Sequence, residues 1–373
     1  MARKAVEGGT APVARMLERF GLTASDLAER LELSTAIVED KLVHPSRAPL
    51  VMLDGEDAIA PGDEVAARAA DVAAATLSHA DWGGFAGPRT LRFFRPPGLD
   101  LDTTVRDLYR LLWRLRAESG EEAFPLDGIV MPKVEHPEEV DLINSLLDRA
   151  EAELGLAPGT IRVAYLIESG WAAAQLADLA RRAAPRLASL IFGLADFSAD
   201  LGLPRIGNDH LLADWARAEI VAVAGGVGVP AIDGMTLEYP VADPRLGAAE
   251  NRSRWLDRMR LAYDDAVRAR ELGMSGKWVG HPAQLFAVLL AWEGGLTDDA
   301  VARETAKLSA YASAVASDLG ATMIDGVMSD RATDRHARAL LRRAVALGRL
   351  DPRIAVTLGV VTQSEVAGLG GTP

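Results

Sequence analysis

A chain of 373 residues, 49% hydrophobic and 25% charged, has the balance of a globular protein with room for one large α/β domain and an appendage. Its net charge of −13 speaks against a nucleic-acid surface, where clustered Lys and Arg are expected. With no cysteine, disulfides, thiolate metal sites and a cysteine nucleophile are excluded, which fits a reducing cytoplasm.

Residues 1–45 lack a signal-peptide core and read as three short amphipathic helices, with Ser25 and Ser34 placed to cap the second and third. SDLAERLELSTAIVEDKL scans like a helix-turn-helix, but Glu39 and Asp40 against one lysine would repel phosphates, so a contact between subunits is the better expectation. From residue 50 short apolar runs ending in polar residues alternate with longer helical patterns. PLVMLD (49–54), TLRFF (90–94), GIVMP (128–132), IRVAYLI (161–167), ASLIFG (188–193), VPAID (229–233) and GKWVG (276–280) are the predicted strands. Repeated βα units demand a parallel sheet, open or closed. Seven runs are one short of an eight-stranded barrel; the missing strand should precede residue 50, with residues 37–43 as its candidate. The longest apolar run, LFAVLLAW at 285–292, falls far short of the ~18 residues that span a bilayer. After residue 297 the pattern is wholly helical, and the GLGGTP tail is expected to fray.

In a βα barrel the chemistry collects at the C-terminal ends of the strands. Those positions carry Asp54, Glu56 and Asp57 after the first run, Arg92 and Arg95 at the second, and Lys133 and Glu135 after the third. Glu168, Asp196 and Asp233 follow the next three, and Lys277 and His281 mark the seventh. Carboxylates facing one another in a partly desolvated bowl repel unless a cation sits among them. Oxygen ligands without cysteine select a hard ion, Mg2+ or Mn2+. Each position also has a plainer reading. An aspartate just past a strand often caps the next helix, and Asp57 and Asp200 suit structure better than catalysis. Lys133 and Glu135 could form a rim salt bridge, and His281 before Pro282 a loop-closing hydrogen bond. Arg92, inside an apolar run, needs an acidic partner or a substrate.

Taken in order, LDGEDAIAP, MPKVEHPEEV, LIESG, FGLADFSADLG, PAIDG and GMSGKWVGHPAQ resemble the citrate lyase β-subunit-like proteins. That group includes the malyl-CoA lyases and lies in the aldolase/citrate lyase superfamily. The likeness covers residues 47–347, and GKWVGHPAQ is its most specific motif. It implies a (β/α)8 TIM barrel, a homo-oligomer (trimer or hexamer), and Mg2+-dependent making or breaking of a C–C bond in a hydroxyacyl-CoA. Residue by residue, it implies Glu168 and Asp196 as metal ligands and Arg92 as the arginine for the enolate oxygen or substrate carboxylate. It implies Glu56 and Asp57 as an acidic pair near the metal and its waters, and Lys133 and Glu135 at the substrate rim. GATMIDGVMSD (320–330) is similar to the lid of malyl-CoA lyase-type enzymes, which implies that Asp330 serves a neighbour's site. The expected division is a helical extension at 1–45, the barrel at 46–297 and a helical lid segment at 298–373. The chain departs from the pattern where three helices replace the family's opening strand, and where Ala195 stands in place of an acid. A class II metal-dependent aldolase, releasing pyruvate or another 2-oxo acid without CoA, is the alternative chemistry for the same bowl. A barrel that lost its chemistry is the other reading, opposed by the retention of Arg92, Glu168, Asp196 and Asp330 together.

Overall fold

The alternating apolar and amphipathic runs fold as βα repeats in a computed structural model describing residues 8–57, 62–79, 82, 90–120, 123–294, 296–324, 326–346 and 348–368. The last five residues of the GLGGTP tail and residues 58–61 of the LDGEDAIAP motif lie outside the described residues. Three helices come first: α1 (Thr10–Phe20), α2 (Ala24–Leu31) and α3 (Thr35–Val43). The residue that caps α2 is Thr23, not Ser25; its hydroxyl accepts the Asp26 N–H and Asp26 returns the bond to the Thr23 N–H at 2.7 Å. Residues 37–43, the candidate for a missing strand, are helical in α3, where Val38 and Lys41 are buried three residues apart, a helical spacing. α2 docks on a later helix, α11 (Ala248–Glu271), through Arg30–Asp257, Arg252–Asp26 at 3.4 Å and Arg260–Glu32 at 3.0 Å, and α3 packs on α2.

Seven strands form one wholly parallel sheet in chain order: β1 (Leu50–Asp54), β2 (Leu91–Arg95), β3 (Gly128–Met131), β4 (Arg162–Ile167), β5 (Leu187–Phe192), β6 (Ala231–Asp233) and β7 (Gly276–Lys277). Each falls on a predicted run. Between them lie α4 (Asp63–His79), α5 (Thr104–Ser119), α6 (Pro137–Leu154), α7 (Gly170–Ala174), α8 (Leu176–Ala183), α9 (Leu194–Asp200), α10 (Leu211–Val227) and α11, with α12 (Pro282–Glu293) after β7. β1 and β7 are the edges of the sheet; among the described residues no ladder joins them.

Strand side chains alternate between faces, and that alternation decides which polar residues meet. Met52, Phe93, Val130, Leu166, Ile191, Ile232 and Trp278 share one apolar cluster inside the curve of the sheet. Two residues further along their strands, Asp54, Arg95 and Glu168 therefore line the same face at the C-terminal mouth. Residues of opposite parity point outward to the helices. Asp233 and Lys277, expected at the mouth, are of this kind. Asp233 accepts from Arg217 of α10 at 2.6 Å and from the Lys277 ammonium at 2.7 Å, and all three side chains are buried. This paired network fastens the outer helix layer and leaves both residues out of the bowl.

A second compact unit holds the described residues from Leu290 on. It contains α13 (Asp298–Ala316), an antiparallel hairpin of β8 (Thr322–Ile324) and β9 (Val327–Ser329), then α14 (Arg331–Ala346), α15 (Pro352–Thr357) and α16 (Gln363–Gly368). Leu308, Leu341, Ala344 and Val360 belong to its own core. The region read as wholly helical thus contains a hairpin, turned by Gly326 at φ 78°. The division falls inside α12 rather than after residue 297. Among the described residues no helix is long and apolar enough to cross a membrane.

Candidate active site

The centre of the mouth is Arg95, the last residue of β2. Asp54 on β1 takes its Nε and Nη2 in a fork at 2.8 and 2.6 Å, Asp57 meets Nη2 at 3.0 Å, and Glu56 meets Nη1 at 2.9 Å. Burial opposes the charge, but these three acids outweigh it and raise the guanidinium's affinity for its proton. The backbone is pinned as well. Gly55 donates its N–H to the Arg95 carbonyl at 2.8 Å, and any Cβ there would stand 2.9 Å from that oxygen and 2.6 Å from the Phe94 ring. The indole of Trp278 covers the guanidinium, with Cζ 5.3 Å from the ring centroid. Glu56 is itself buried; its Oε1 has no hydrogen bond, and the Lys133 ammonium lies 3.4 Å away. Desolvation, with Asp57 adding to it, holds the Glu56 carboxyl above its ordinary value.

Glu168 stands just past β4, about one-twentieth exposed, and its Oε1 accepts the Lys133 N–H at 2.6 Å. Lys133 can aim that N–H because its backbone turns into the left-handed region, φ 53°, unusual for a side chain with a Cβ. Burial, then the negative charges of Asp196 and Glu56, push the Glu168 carboxyl up to about 8. Asp196 lies in the first turn of α9, one βα unit later, and is exposed. A proton on Glu168, or a cation in its place, relieves the charge of such a cluster. Gly193, at the N-cap of α9, makes the close approach possible, since a Cβ there would lie 2.6 Å from Glu168 Cβ and 3.0 Å from Oε2. Gly193→Ala is expected to leave the fold intact, displace Glu168, and lower turnover about 100-fold. Loss of the Mg2+-induced rise in melting temperature in that variant is the check.

Other expected site residues stand elsewhere. Arg92 lies on the outer face of β2, with its Nη1 3.5 Å from the Leu77 carbonyl of α4 and its Cζ 5.9 Å from the Trp82 ring centroid. The run had been ended at Phe94; the strand continues to Arg95, and parity gives the mouth to Arg95 instead. Glu135 joins the start of α6, where its N–H donates to Glu139 at 2.7 Å and its carbonyl accepts from Gln175 at 3.0 Å. Asp57 is largely exposed and reaches the mouth only through Arg95. Asp200 accepts the Gly170 N–H at 2.8 Å and so supports the start of α7, beside Glu168. His281 accepts the Ala283 N–H at 3.2 Å, the loop-closing role. Asp330, in the second unit, caps α14 by accepting the N–H groups of Ala332 and Thr333, both at 3.0 Å. Those bonds, that of Thr333 foremost, hold its carboxyl below the usual range. Gln284 was missed although it ends the GKWVGHPAQ motif. Fully buried, it accepts from Gly280 and His281 and donates to the Thr236 and Glu238 carbonyls, tying the loops after β6 and β7 together.

Among the described residues no three carboxylate or imidazole side chains converge on one metal position. Two carboxylates, Glu168 and Asp196, are nevertheless enough for Mg2+, which keeps several waters and takes one or two protein oxygens together with its substrate. The donor set fits a hard dication, whose charge would offset the burial and the neighbouring negative charges that raise Glu168.

Wholly parallel βα repeats with an acidic mouth at the strand ends match known proteins over most of the chain. The sequence profile of a family described as "Domain of unknown function (DUF6986)" matches residues 49–370. The L-malyl-CoA/beta-methylmalyl-CoA lyase of Rhodobacter capsulatus is 31% identical over 316 residues, which are 80% of this chain and 88% of that one. A solved citrate lyase from Burkholderia xenovorans LB400 superposes with a TM-score of 0.64 at 26% identity, over 87% of this chain and 91% of the other. The Mycobacterium tuberculosis protein CitE, solved with magnesium, acetoacetate and coenzyme A, shares the fold at a TM-score of 0.52 and 23% identity, over 79% and 90%. The class is therefore that of parallel α/β proteins of the aldolase/citrate lyase type. Within it, the chain belongs to the DUF6986 family and to the citrate lyase β-subunit-like/malyl-CoA lyase family.

Proposed function

We propose that the protein is a Mg2+-dependent carbon–carbon lyase, a condensing enzyme in reverse, acting through an enolate on a hydroxyacyl-CoA of the malyl-CoA or citramalyl-CoA type. The observation that carries this reading is the joint placement of Glu168, Asp196, Glu56 and Arg95 at one mouth. The activity named for the Rhodobacter capsulatus relative supports the substrate class over the CoA-free aldolase. We read the seven-stranded parallel sheet as a form of the (β/α)8 barrel, supported by an inner cluster that reaches from Met52 of β1 to Trp278 just past β7. The three-part organisation, extension, barrel and C-terminal lid segment, belongs to the same reading.

Glu168 and Asp196 would hold Mg2+, with Mn2+ as an expected substitute; when bound, the ion supplies Lewis acidity toward the hydroxyl oxygen and carboxylate of the substrate. The bond that breaks joins the carbinol carbon to the α-carbon of the acyl group. The hydroxyl proton passes to a carboxylate at the mouth, a 2-oxo acid forms, and the bonding pair passes to the thioester enolate, whose α-carbon later takes that proton back. Arg95 stabilises that negative oxygen through Nη1, a contribution of about 3–4 kcal/mol for one well-placed donor. Lys133 orients the substrate carboxylate at the rim, and Glu56, buried beside it, keeps both cations in place. Glu135 acts from further out, and Asp57 through Arg95. The α-carbon then takes a proton. Asp330, from a neighbouring copy in a trimer or hexamer, is the carboxylate we assign to this transfer. Its support is the likeness of residues 320–330 to a lid, with Met323 and Met328 paired across the hairpin and 64% and 56% exposed. Asparagine caps helices as well as aspartate does, so Asp330→Asn is expected to fold and bind Mg2+ normally while turnover is abolished. Full activity in that variant would remove Asp330 from the mechanism.

The test of the function is a Mg2+-dependent cleavage screen of malyl-CoA, citramalyl-CoA and free 4-hydroxy-2-oxo acids, with 2-oxo-acid formation and free CoA thiol followed separately. Cleavage of a thioester with no thiol released is the expected result. Turnover of the free acids alone would replace the lyase with the aldolase.

A further inference from the structure

The mouth contains one contact that no mechanistic role has yet absorbed, between strands at opposite ends of the sheet order. Trp278 follows β7, Arg95 ends β2, and β7 and β1 share no ladder among the described residues. The guanidinium nevertheless lies over the Trp278 ring across the opening, 5.3 Å from Cζ to ring centroid. Asp54 and Asp57 hold Arg95 by hydrogen bonds to Nε and Nη2, Glu56 holds Nη1 by an ion pair, and all three come from β1 or the turn after it. Anchors that all come from the β1 side leave the guanidinium less restrained toward the far side of the mouth. An aromatic ring against it from beyond β7 supplies a second support. Trp278 is itself firmly set. Its N–H donates to the Asp233 carbonyl at 2.8 Å, its ring packs on the inner cluster, and the Gln284 clamp grips the backbone two and three residues later.

We propose that Trp278 is a positioning residue that acts through Arg95, fixing the guanidinium plane so that the Nη1 edge faces the oxyanion. The proposal rests on the reading above that Arg95 holds the developing negative oxygen.

Oxalate, a planar dianion resembling the enolate and 2-oxo acid groups, is the probe. Its binding with Mg2+ is measured by calorimetry on the full-length wild type, Trp278→Leu, Trp278→Phe, Arg95→Lys and the two double variants. Trp278→Leu is expected to weaken oxalate about tenfold and Trp278→Phe two- to threefold, the range of a partly desolvated cation–π contact. In the Arg95→Lys background either change should add less than about twofold, because the residue through which Trp278 acts is gone. For malyl-CoA, kcat should fall by the same factors while the Mg2+ concentration dependence stays put. Unchanged oxalate binding in the tryptophan variants, or losses that multiply in the doubles, would overturn the proposal. If the leucine variant does not fold, the phenylalanine pair decides alone. Absence of malyl-CoA cleavage in the wild type would strike the lyase reading and leave the oxalate result standing. Absence of oxalate binding by the wild type would overturn the assignment of Arg95 and this proposal with it.

Discussion

Arg95→Met is expected to lower kcat about 100- to 1,000-fold, the effect of removing a preorganised oxyanion donor, while Arg92→Met stays within about twofold of wild type. The contrast follows from one residue of strand parity. Arg95 lies among Asp54, Glu56 and Asp57 in the bowl, whereas the Arg92 side chain faces α4 and the Trp82 ring. The Arg95 change also strands two largely buried carboxylates without their cation, so the variant should melt lower than wild type at neutral pH. That deficit should shrink as the pH falls and the acids take up protons. Arg95→Lys keeps the charge but cannot reproduce the fork to Asp54, and is expected to recover stability without recovering the rate. Steady-state kinetics of the two methionine variants and melting curves at acid and neutral pH are the measurements. Equal losses at Arg92 and Arg95 would contradict the assignment.

Glu168→Gln is expected to abolish Mg2+-dependent turnover and, without metal, to be more stable than wild type at alkaline pH. The sign comes from burial. The folded protein holds the Glu168 proton up to about 8, against an ordinary carboxyl value of 4.5. Between those values the native state binds a proton that the unfolded chain has released, so metal-free stability falls as the pH rises through that window. Above it the loss is complete. Mg2+ displaces the same proton, so its stabilising effect should grow with pH until about pH 8 and then level off. Glutamine neither titrates nor ligates well, which removes both the slope and the metal response. Melting temperatures with and without MgCl2 at acid, neutral and alkaline pH test both parts, and a Glu168→Gln protein that still gained stability from Mg2+ would exclude Glu168 as a ligand.

The strands were legible because each is a short apolar run closed by polar residues, and all seven stand where that pattern puts them. The place of Glu168 at the mouth was legible for the same reason, since it directly follows the buried run of β4. Arg95 was seen but passed over for Arg92. A run that ends in Phe-Phe-Arg gives no sign of whether its last pair belongs to the strand, and one residue inverts every facing. Asp233 and Lys277 misled in the opposite sense. Their composition suits a catalytic bowl equally well; strand parity turns them outward, where Arg217 on α10 pairs with Asp233. The Gln284 clamp left no local signal, because its partners lie on loops separated by more than 40 residues. The hairpin of β8 and β9 was hidden inside a stretch of otherwise good helix formers, where the glycine turn at Gly326 outweighs composition.

The docking of α2 on α11 has a consequence for how the protein is made. Arg30 and Asp257 are 227 residues apart in the chain. At about 5–20 residues per second, the partner face leaves the ribosome roughly 10–45 s after α2 does. For that interval Asp26, Arg30 and Glu32 of the extension lack the partners on α11 that they pair with in the finished protein. The extension can therefore be fastened to α11 only after nearly the whole sheet has been synthesised, which makes its attachment a late event in folding.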